Sequence, residues 1–407
     1  MSQYIPQISS QSLEDKVVLI TGTFSSDTIP TCPLRAFDCL HFKTFLLTLS
    51  ATGGANGIGA SLVQQCLENG ANVCFGDLDN ISGERLLRKS VEEFKSGEAK
   101  YPARAVFQTT DVTNYQSVLA LFDLAFNTYK RIDHVVSAAG ISEIGNWFDF
   151  GLTFQTVRQT PTHKVLDVNL LGSMYVARIA SVYLRHNRGP GTDRSILLFS
   201  SVSGFKESPS LFIDQASKHG VIGLMRSLRS YISSPYKHYL RINTICPWMT
   251  QTETMKQIEQ QWKQASLPTN TTREVSTVAN GILADSSLNG TSMFVEGGRA
   301  WEIEGNIERL EAQWLGEAPS KSLAAGQELL DDGAIWTAAP RKRCSISNGI
   351  PPGVPLEKLN GIQQNGAQKN SMNGVTNGYT NGATKVTNGL GNGFPNGLTN
   401  GITNGVH

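Results

Sequence analysis

Short apolar runs alternate with longer amphipathic ones between Lys16 and Val295, and this alternation constrains the fold more than any other feature of the chain. Lys16–Thr21 (KVVLIT), Ala71–Gly76 (ANVCFG), Ala105–Thr109, His134–Ser137, Ser195–Ser200 (SILLFS) and Arg241–Cys246 read as strands, with Ser292–Val295 as the last. Ala60–Gly70, Val118–Tyr129, Val165–Arg185 and Gln215–Ile232 carry apolar residues at helical spacing. Strand and helix in turn predict an α/β fold, a doubly wound parallel sheet with helices on both faces. Sheets of this kind bind ligands at the carboxyl ends of their strands.

A glycine-rich stretch stands where that rule places a ligand. Residues 52–59 read TGGANGIG, with a helix expected to begin near Gly59. Glycine permits a tight turn and a close backbone approach to phosphate. The helix start offers unpaired N–H groups and the positive end of its dipole. Asp77 follows 18 residues after Gly59, at the end of the next strand, where a carboxylate can accept from both ribose hydroxyls of an adenosine. Neither the glycine loop nor the residues directly after Asp77 supply a cation for a 2′-phosphate. The expected cofactor is therefore NAD(H) rather than NADP(H).

Six motifs keep a common order: TGGANGIG, DVT at Asp111–Thr113, SAAG at 137–140, Asn169 in VLDVNLLG, SSVSG at 200–204 and ASKHG at 216–220. In this they resemble the short-chain dehydrogenases/reductases, from about Leu13 to Arg299. The resemblance implies a single Rossmann-type domain, a nicotinamide cofactor and an Asn–Ser–Tyr–Lys catalytic set. It implies that Ser201 holds the substrate oxygen and that Asn169 kinks its helix and holds a water of the proton relay. Lys218 is implied to bind the nicotinamide ribose and to depress the pKa of the acid, and Asp111 to touch the adenine. The cofactor is implied to lie against Thr52, Gly53, Gly57, Ile58, Gly59, Asp77, Asp111 and Val112. On the nicotinamide side it is implied to meet Ala138, Gly140, Lys218, Pro247, Thr250 and Thr252. No metal is expected. The family pairs its long helices, here 165–185 and 215–232, which implies a homodimer or homotetramer.

The departures are as informative. SAAG stands for the usual NNAG, losing polar side chains that brace the central strands. Trp248 follows Pro247 where the family commonly has glycine, which would put a bulky ring near the nicotinamide. Asp214 occupies the tyrosine position, thirteen residues after Ser201 and four before Lys218. A phenol and a carboxyl differ by about six pKa units. With Lys218 beside it, Asp214 is expected to stay ionised and act only as a weak base, reaching substrate through a bridging water. Three readings stay open: a dehydrogenase or ketoreductase acting on a secondary alcohol or ketone, a cofactor-binding pseudoenzyme, and a repurposed cyclase without net redox. The look of CPWMT and VEGGRAWEIE is similar to fungal members of polyketide and terpenoid biosynthesis. Met249, Met255, Ile258, Trp262 and Leu267 in the expected substrate lid suggest an apolar substrate, or an ordinary amphipathic helix.

Two segments stand outside the pattern. Deleting the 31 residues 23–53 would join KVVLITG directly to GANGIG, so the segment reads either as retained intron sequence or as a genuine surface insertion. If it is translated, Val17–Thr21 and Phe45–Ser50 compete for the first strand. The domain is expected to span 1–338. The Asn/Gly-rich tail 339–407 keeps no helical or strand period and is expected to be disordered. A formal net charge of +1 gives no electrostatic reason to expect nucleic acid or an anionic membrane. Six scattered cysteines without a CxxC pair suggest a reducing compartment. The N-terminus lacks the pattern of a signal peptide and no run reaches ~20 apolar residues, so a cytoplasmic protein is expected.

Overall fold

Val17–Thr21 is an inner strand of the sheet, buried at all five residues. The computed structural model describes residues 3–9, 11–22, 55–94, 104–189, 191–233, 239–252 and 256–330. Phe45–Ser50, the rest of 23–53, and the tail with its boundary at 338 lie outside the described residues. The strands are β1 (Gln3–Tyr4), β2 (Val17–Thr21), β3 (Asn72–Asp77), β4 (Ala105–Thr109), β5 (His134–Ser137), β6 (Ser195–Phe199), β7 (Arg241–Pro247), β8 (Ser292–Glu296) and β9 (Arg299–Glu302). Their order in the sheet is β1-β9-β8-β7-β6-β5-β2-β3-β4. From β8 to β4 every pairing is parallel.

Helices cover both faces, and β2 shows why. Val17 and Leu19 point into one apolar cluster, Val18 and Ile20 into the other, the period of two that a strand imposes. The first cluster is closed by α3 (Tyr115–Tyr129), α5 (Gly172–Tyr183) and α6 (Phe212–Ser233). The second is closed by α1 (Gly57–Glu68), α2 (Asn80–Glu93) and α8 (Thr272–Ala284). A capping box between Thr271 and Glu274 starts α8. The short α4 (Lys164–Leu166) leads into α5, α7 (Lys256–Gln264) lies in the expected lid, and α9 (Glu304–Arg309), α10 (Glu311–Leu315) and α11 (Glu317–Leu330) follow the sheet.

The sheet differs from the expected one at one edge. Ser292–Glu296 is not the last strand: β9 pairs antiparallel with β8, and β1 antiparallel with β9. Gly297 and Gly298, at φ +55° and +73°, form the two-residue turn, a left-handed pair that favours glycine. The helix from Lys164 to Tyr183 is 20 residues long and apolar enough to cross a membrane, contrary to the sequence expectation. Half of its most apolar window is buried in the protein, which explains the composition as that of a core helix.

Candidate active site

The site assembles where parallel strands end. On one side, β3 delivers Asp77, which is fully enclosed. Its Oδ2 accepts from the Ala55 N–H at 2.8 Å and its Oδ1 from the Asp79 N–H at 3.0 Å. Burial pushes its carboxyl up to about 6, while the Ala55 and Asp79 N–H groups pull it back. Asp77 was expected to be open to a ribose; the structure instead turns it onto backbone, where it ties the glycine stretch to the end of β3. Asp79 beside it is only half-buried and caps α2 by accepting from the Ser82 N–H.

Thr52 and Gly53 lie outside the described residues. Gly57 follows at φ +53°, a conformation that favours glycine, and opens α1. The N-cap residue Asn56 makes no side-chain cap bond, so its side chain does not occupy the N–H groups of the first turn. Gly59 is buried in that turn. Ile58 packs on the core, and its carbonyl accepts from the Ser276 hydroxyl at 3.1 Å. The arrangement suits an anion at the helix start. Close by, a cavity of about 220 Å³ is lined by Leu78, Asp111, Val112, Lys164 and Asp167 among others. Asp111 Oδ1 holds the Thr113 N–H and hydroxyl at 2.9 and 2.7 Å. Asp111 and Val112 thus reach the wall where an adenine contact was expected.

On the other side, β5 ends in SAAG. The buried Ala138 donates its N–H to Thr21 O at 3.1 Å, linking it to β2. Gly140 has no room for a side chain without displacement: a Cβ there would lie 3.0 Å from Lys218 Nζ. The expected loss of bracing at this strand end is partly made good, because Ser137 Oγ meets Ser173 Oγ at 3.2 Å, and Ser173 donates to Asn169 O at 2.8 Å.

Asn169 sits in an irregular turn of its helix. Residues Asp167–Leu171 form a π-helical turn between α4 and α5. Asn169 is buried, and its amide grips the backbone after SAAG from both sides. Oδ1 accepts from the Ile141 N–H at 2.7 Å and Nδ2 donates to Ile141 O at 2.9 Å. Nδ2 also faces Asp214 Oδ1 at 3.1 Å and Ser217 Oγ at 3.0 Å.

Asp214 lies in the first turn of α6 with 7% of its surface exposed. Among the described residues its second oxygen takes no hydrogen bond. Burial raises its carboxyl above the ordinary range and Glu143 adds to the rise, against the pull of Lys218 and Asn169. The shift runs against the expected pull of Lys218, because in an enclosed pocket desolvation outweighs the neighbouring cation. Lys218, half-buried one turn along α6, is itself held below the ordinary lysine range by burial, with Asp214 and Cys246 opposing.

Ser201 starts a short turn after β6, its Oγ 3.3 Å from the Ser203 N–H and 3.5 Å from Pro247 O at the end of β7. Thr250 is buried and donates to Trp248 O at 2.9 Å; Thr252 is half-buried. Trp248 joins an aromatic cluster, 5.9 Å from Trp262 and 6.4 Å from Phe294 between ring centres. In the lid Met249 is buried but Leu267 is exposed, and Met255 lies outside the described residues.

The sequence reading missed Glu143. It sits three residues after Gly140 and is 9% exposed. Its Oε2 accepts from the Ile213 N–H at 2.9 Å and the Asp214 N–H at 2.8 Å. An acidic residue so soon after a strand end that enters the site was the available signal. Lys164 and Asp167 on the cavity wall carried no such mark.

A family model described as short chain dehydrogenase matches residues 48–263. The match starts beyond Val17–Thr21, yet that segment forms an inner strand of the same sheet, between β5 and β3. The short-chain dehydrogenase/reductase ascJ of Acremonium egyptiacum is 30% identical over 63% of this chain and 80% of its own length. The 5′-hydroxyaverantin dehydrogenase of Dothistroma septosporum is 26% identical over 63% and 86%. The NAD(+) 15-hydroxyprostaglandin dehydrogenase of Rattus norvegicus is 25% identical over 60% and 88%. With the family match spanning more than half of the chain and the motifs gathered at the strand ends, the chain belongs to the short-chain dehydrogenase family.

Proposed function

We propose that this protein interconverts a secondary alcohol and a ketone on an apolar metabolite, with NAD(H) as cofactor and Asp214 as the proton carrier. The observation that carries this reading is Asp214 itself. It stands at the tyrosine position, enclosed, one oxygen held by Asn169 and Lys218 one turn away. The residues present fit a nicotinamide dinucleotide. The first turn of α1 would take the pyrophosphate, Asp111 and Val112 the adenine, and Ala138, Gly140, Lys218, Pro247, Thr250 and Thr252 the nicotinamide half. When bound, that cofactor supplies or accepts the hydride.

The remaining chemistry belongs to the chain. Ser201 holds the substrate oxygen. In oxidation the carboxylate of Asp214 takes the hydroxyl proton as the C–O bond becomes a carbonyl; in reduction its carboxyl returns that proton to the oxygen. Burial favours this role by raising the carboxyl above the ordinary aspartic range. Asn169 fixes the carboxyl, and Lys218 offsets its charge when the proton leaves. The relatives named above for a hydroxyl-bearing compound support an alcohol substrate, and one of them is named with NAD(+). The Trp248–Trp262–Phe294 cluster, and Phe148 set 4.9 Å from Phe212 at the start of α6, support an apolar one. Met174 and Val182 leave apolar surface exposed on α5, which supports pairing of two copies along that helix.

The test is NADH formation by the purified full chain with a panel of apolar secondary alcohols. Stoichiometric NADH and ketone, abolished in Asp214→Asn, are expected. Conversion of a substrate without change in cofactor absorbance, or tight NAD binding with no turnover across the panel, would overturn the reading.

A further inference from the structure

Glu143 places a second carboxyl group against the first turn of α6. Its Oε2 accepts from two consecutive backbone N–H groups, those of Ile213 and Asp214, at 2.9 and 2.8 Å. Two such donors at a helix start suit an anion. Its Oε1 is buried and has no hydrogen-bond partner among the described residues. A cap would be complete with Oε2 alone, so the unpartnered oxygen asks for another explanation. We propose that Glu143 is a positioning residue of the reaction: it holds Asp214 in place through the backbone and, through its charge, decides at what pH Asp214 gives up its proton.

The groups facing Asp214 make Glu143 the one that favours the proton. Lys218, on the same helix, pulls toward the ionised form. Asn169, from the π-helical turn, donates to Oδ1 and pulls the same way. Cys246, on β7, faces Lys218, and its buried thiol is pushed up to about 12 and stays neutral. Glu143 alone among these charges pushes in the direction of burial. A negative charge at Glu143 disfavours a second one at Asp214, so Asp214 keeps its proton to higher pH than it would alone. A lone aspartic acid standing in for tyrosine needs such a neighbour.

The inference rests on Asp214 as the proton carrier, so its test avoids turnover. The carbonyl stretch of a protonated carboxyl group is followed by infrared difference spectroscopy of the full chain between pH 4 and 9 (a range chosen to bracket carboxylates raised by burial). Asp214→Asn assigns the band. In Glu143→Gln the amide oxygen can still accept from the two N–H groups, but the charge is gone. The midpoint of the band is expected to fall by about 1–3 pH units, the scale of a removed like charge. Melting temperature should drop less than in Glu143→Ala. Should the Gln variant not fold, Glu143→Asn, a shorter neutral amide, makes the same comparison. An unchanged midpoint would reduce Glu143 to a helix cap, and absence of an Asp214 band in the native chain would end the proposal at once. If the midpoint shifts while no alcohol is ever oxidised, this inference stands and the dehydrogenase reading falls.

Discussion

Asp77 and Asp214 are both buried carboxyl groups at the site, and burial is the first cause of the rise in each. Their partners differ. Asp77 gives both oxygens to backbone N–H groups of the dinucleotide side, which commits it to holding the glycine stretch. Asp214 gives one oxygen to a side-chain amide and keeps the other without a hydrogen bond among the described residues, next to a half-buried lysine. The same desolvation therefore produces a structural tie on one side and a movable proton on the other. What separates them is the number of donors already spent.

Removing the movable proton should have the largest effect. Asp214→Asn is expected to lower turnover by ~10²–10⁴, the range for a positioned acid or base, with NAD affinity little changed. The sign of the pH dependence follows from the direction of the shift. Ketone reduction needs the protonated form, so its rate should be full below the raised pKa of Asp214 and fade as pH climbs through it. A rate profile flat through that region, or equal loss of cofactor affinity, would erase the contrast with Asp77.

Asp77→Ala should act on folding and cofactor choice instead. It frees two buried N–H groups, at about 1–3 kcal/mol for each donor left unpaired, read from urea unfolding. With Asp77 present, NADH should bind more tightly than NADPH in a fluorescence titration, because the carboxylate repels a 2′-phosphate through space without a hydrogen bond to the ribose, and the Ala variant should narrow the gap. Equal binding in the native chain would show that a carboxyl so enclosed, with Asp79 beside it, does not read the 2′ position.

His134 extends the comparison to a base. Burial lowers it to about 4, and its Nδ1 lies 2.8 Å from Ser195 Oγ. Its folded pKa is depressed, so its contribution is full above the unfolded value near ~6.5 and is lost as pH falls toward about 4. Across that window stability should fall by up to about 1.4 kcal/mol per pH unit. His134→Asn should flatten the slope, and an unchanged slope would assign acid loss to other groups. Gly140→Ala should be the mildest change. The new Cβ meets the tip of Lys218, which can move, so the loss should stay below the ~10²-fold of a full 1 Å misplacement.

Much of this was legible along the chain because the relevant forces are local. β4 and β5 fall on the expected residues, since each carries a short apolar run, AVF and VV, although only β5 is buried along its whole length and β4 lies at the sheet edge. α2 escaped notice because nine of the fourteen residues of NISGERLLRKSVEE are charged or polar and it buries only Gly83, Leu86 and Ser90. β9 escaped because its four residues RAWE gain a strand only by pairing across the Gly297–Gly298 turn. Ser201, Asn169, Asp214 and Lys218 were all visible by spacing. The direction of the Asp214 shift was not, because a motif names the neighbouring lysine but not the enclosure.

The sequence by itself determined the doubly wound sheet, the order of the site residues and the replacement of tyrosine by Asp214, since periodicity and spacing are properties of the chain. Only the tertiary structure placed Val17–Thr21 between β5 and β3, enclosed Asp77, and set Glu143 against Asp214 across 71 residues of chain. Desolvation and through-space charge depend on what surrounds a group in three dimensions, and no order of letters states that.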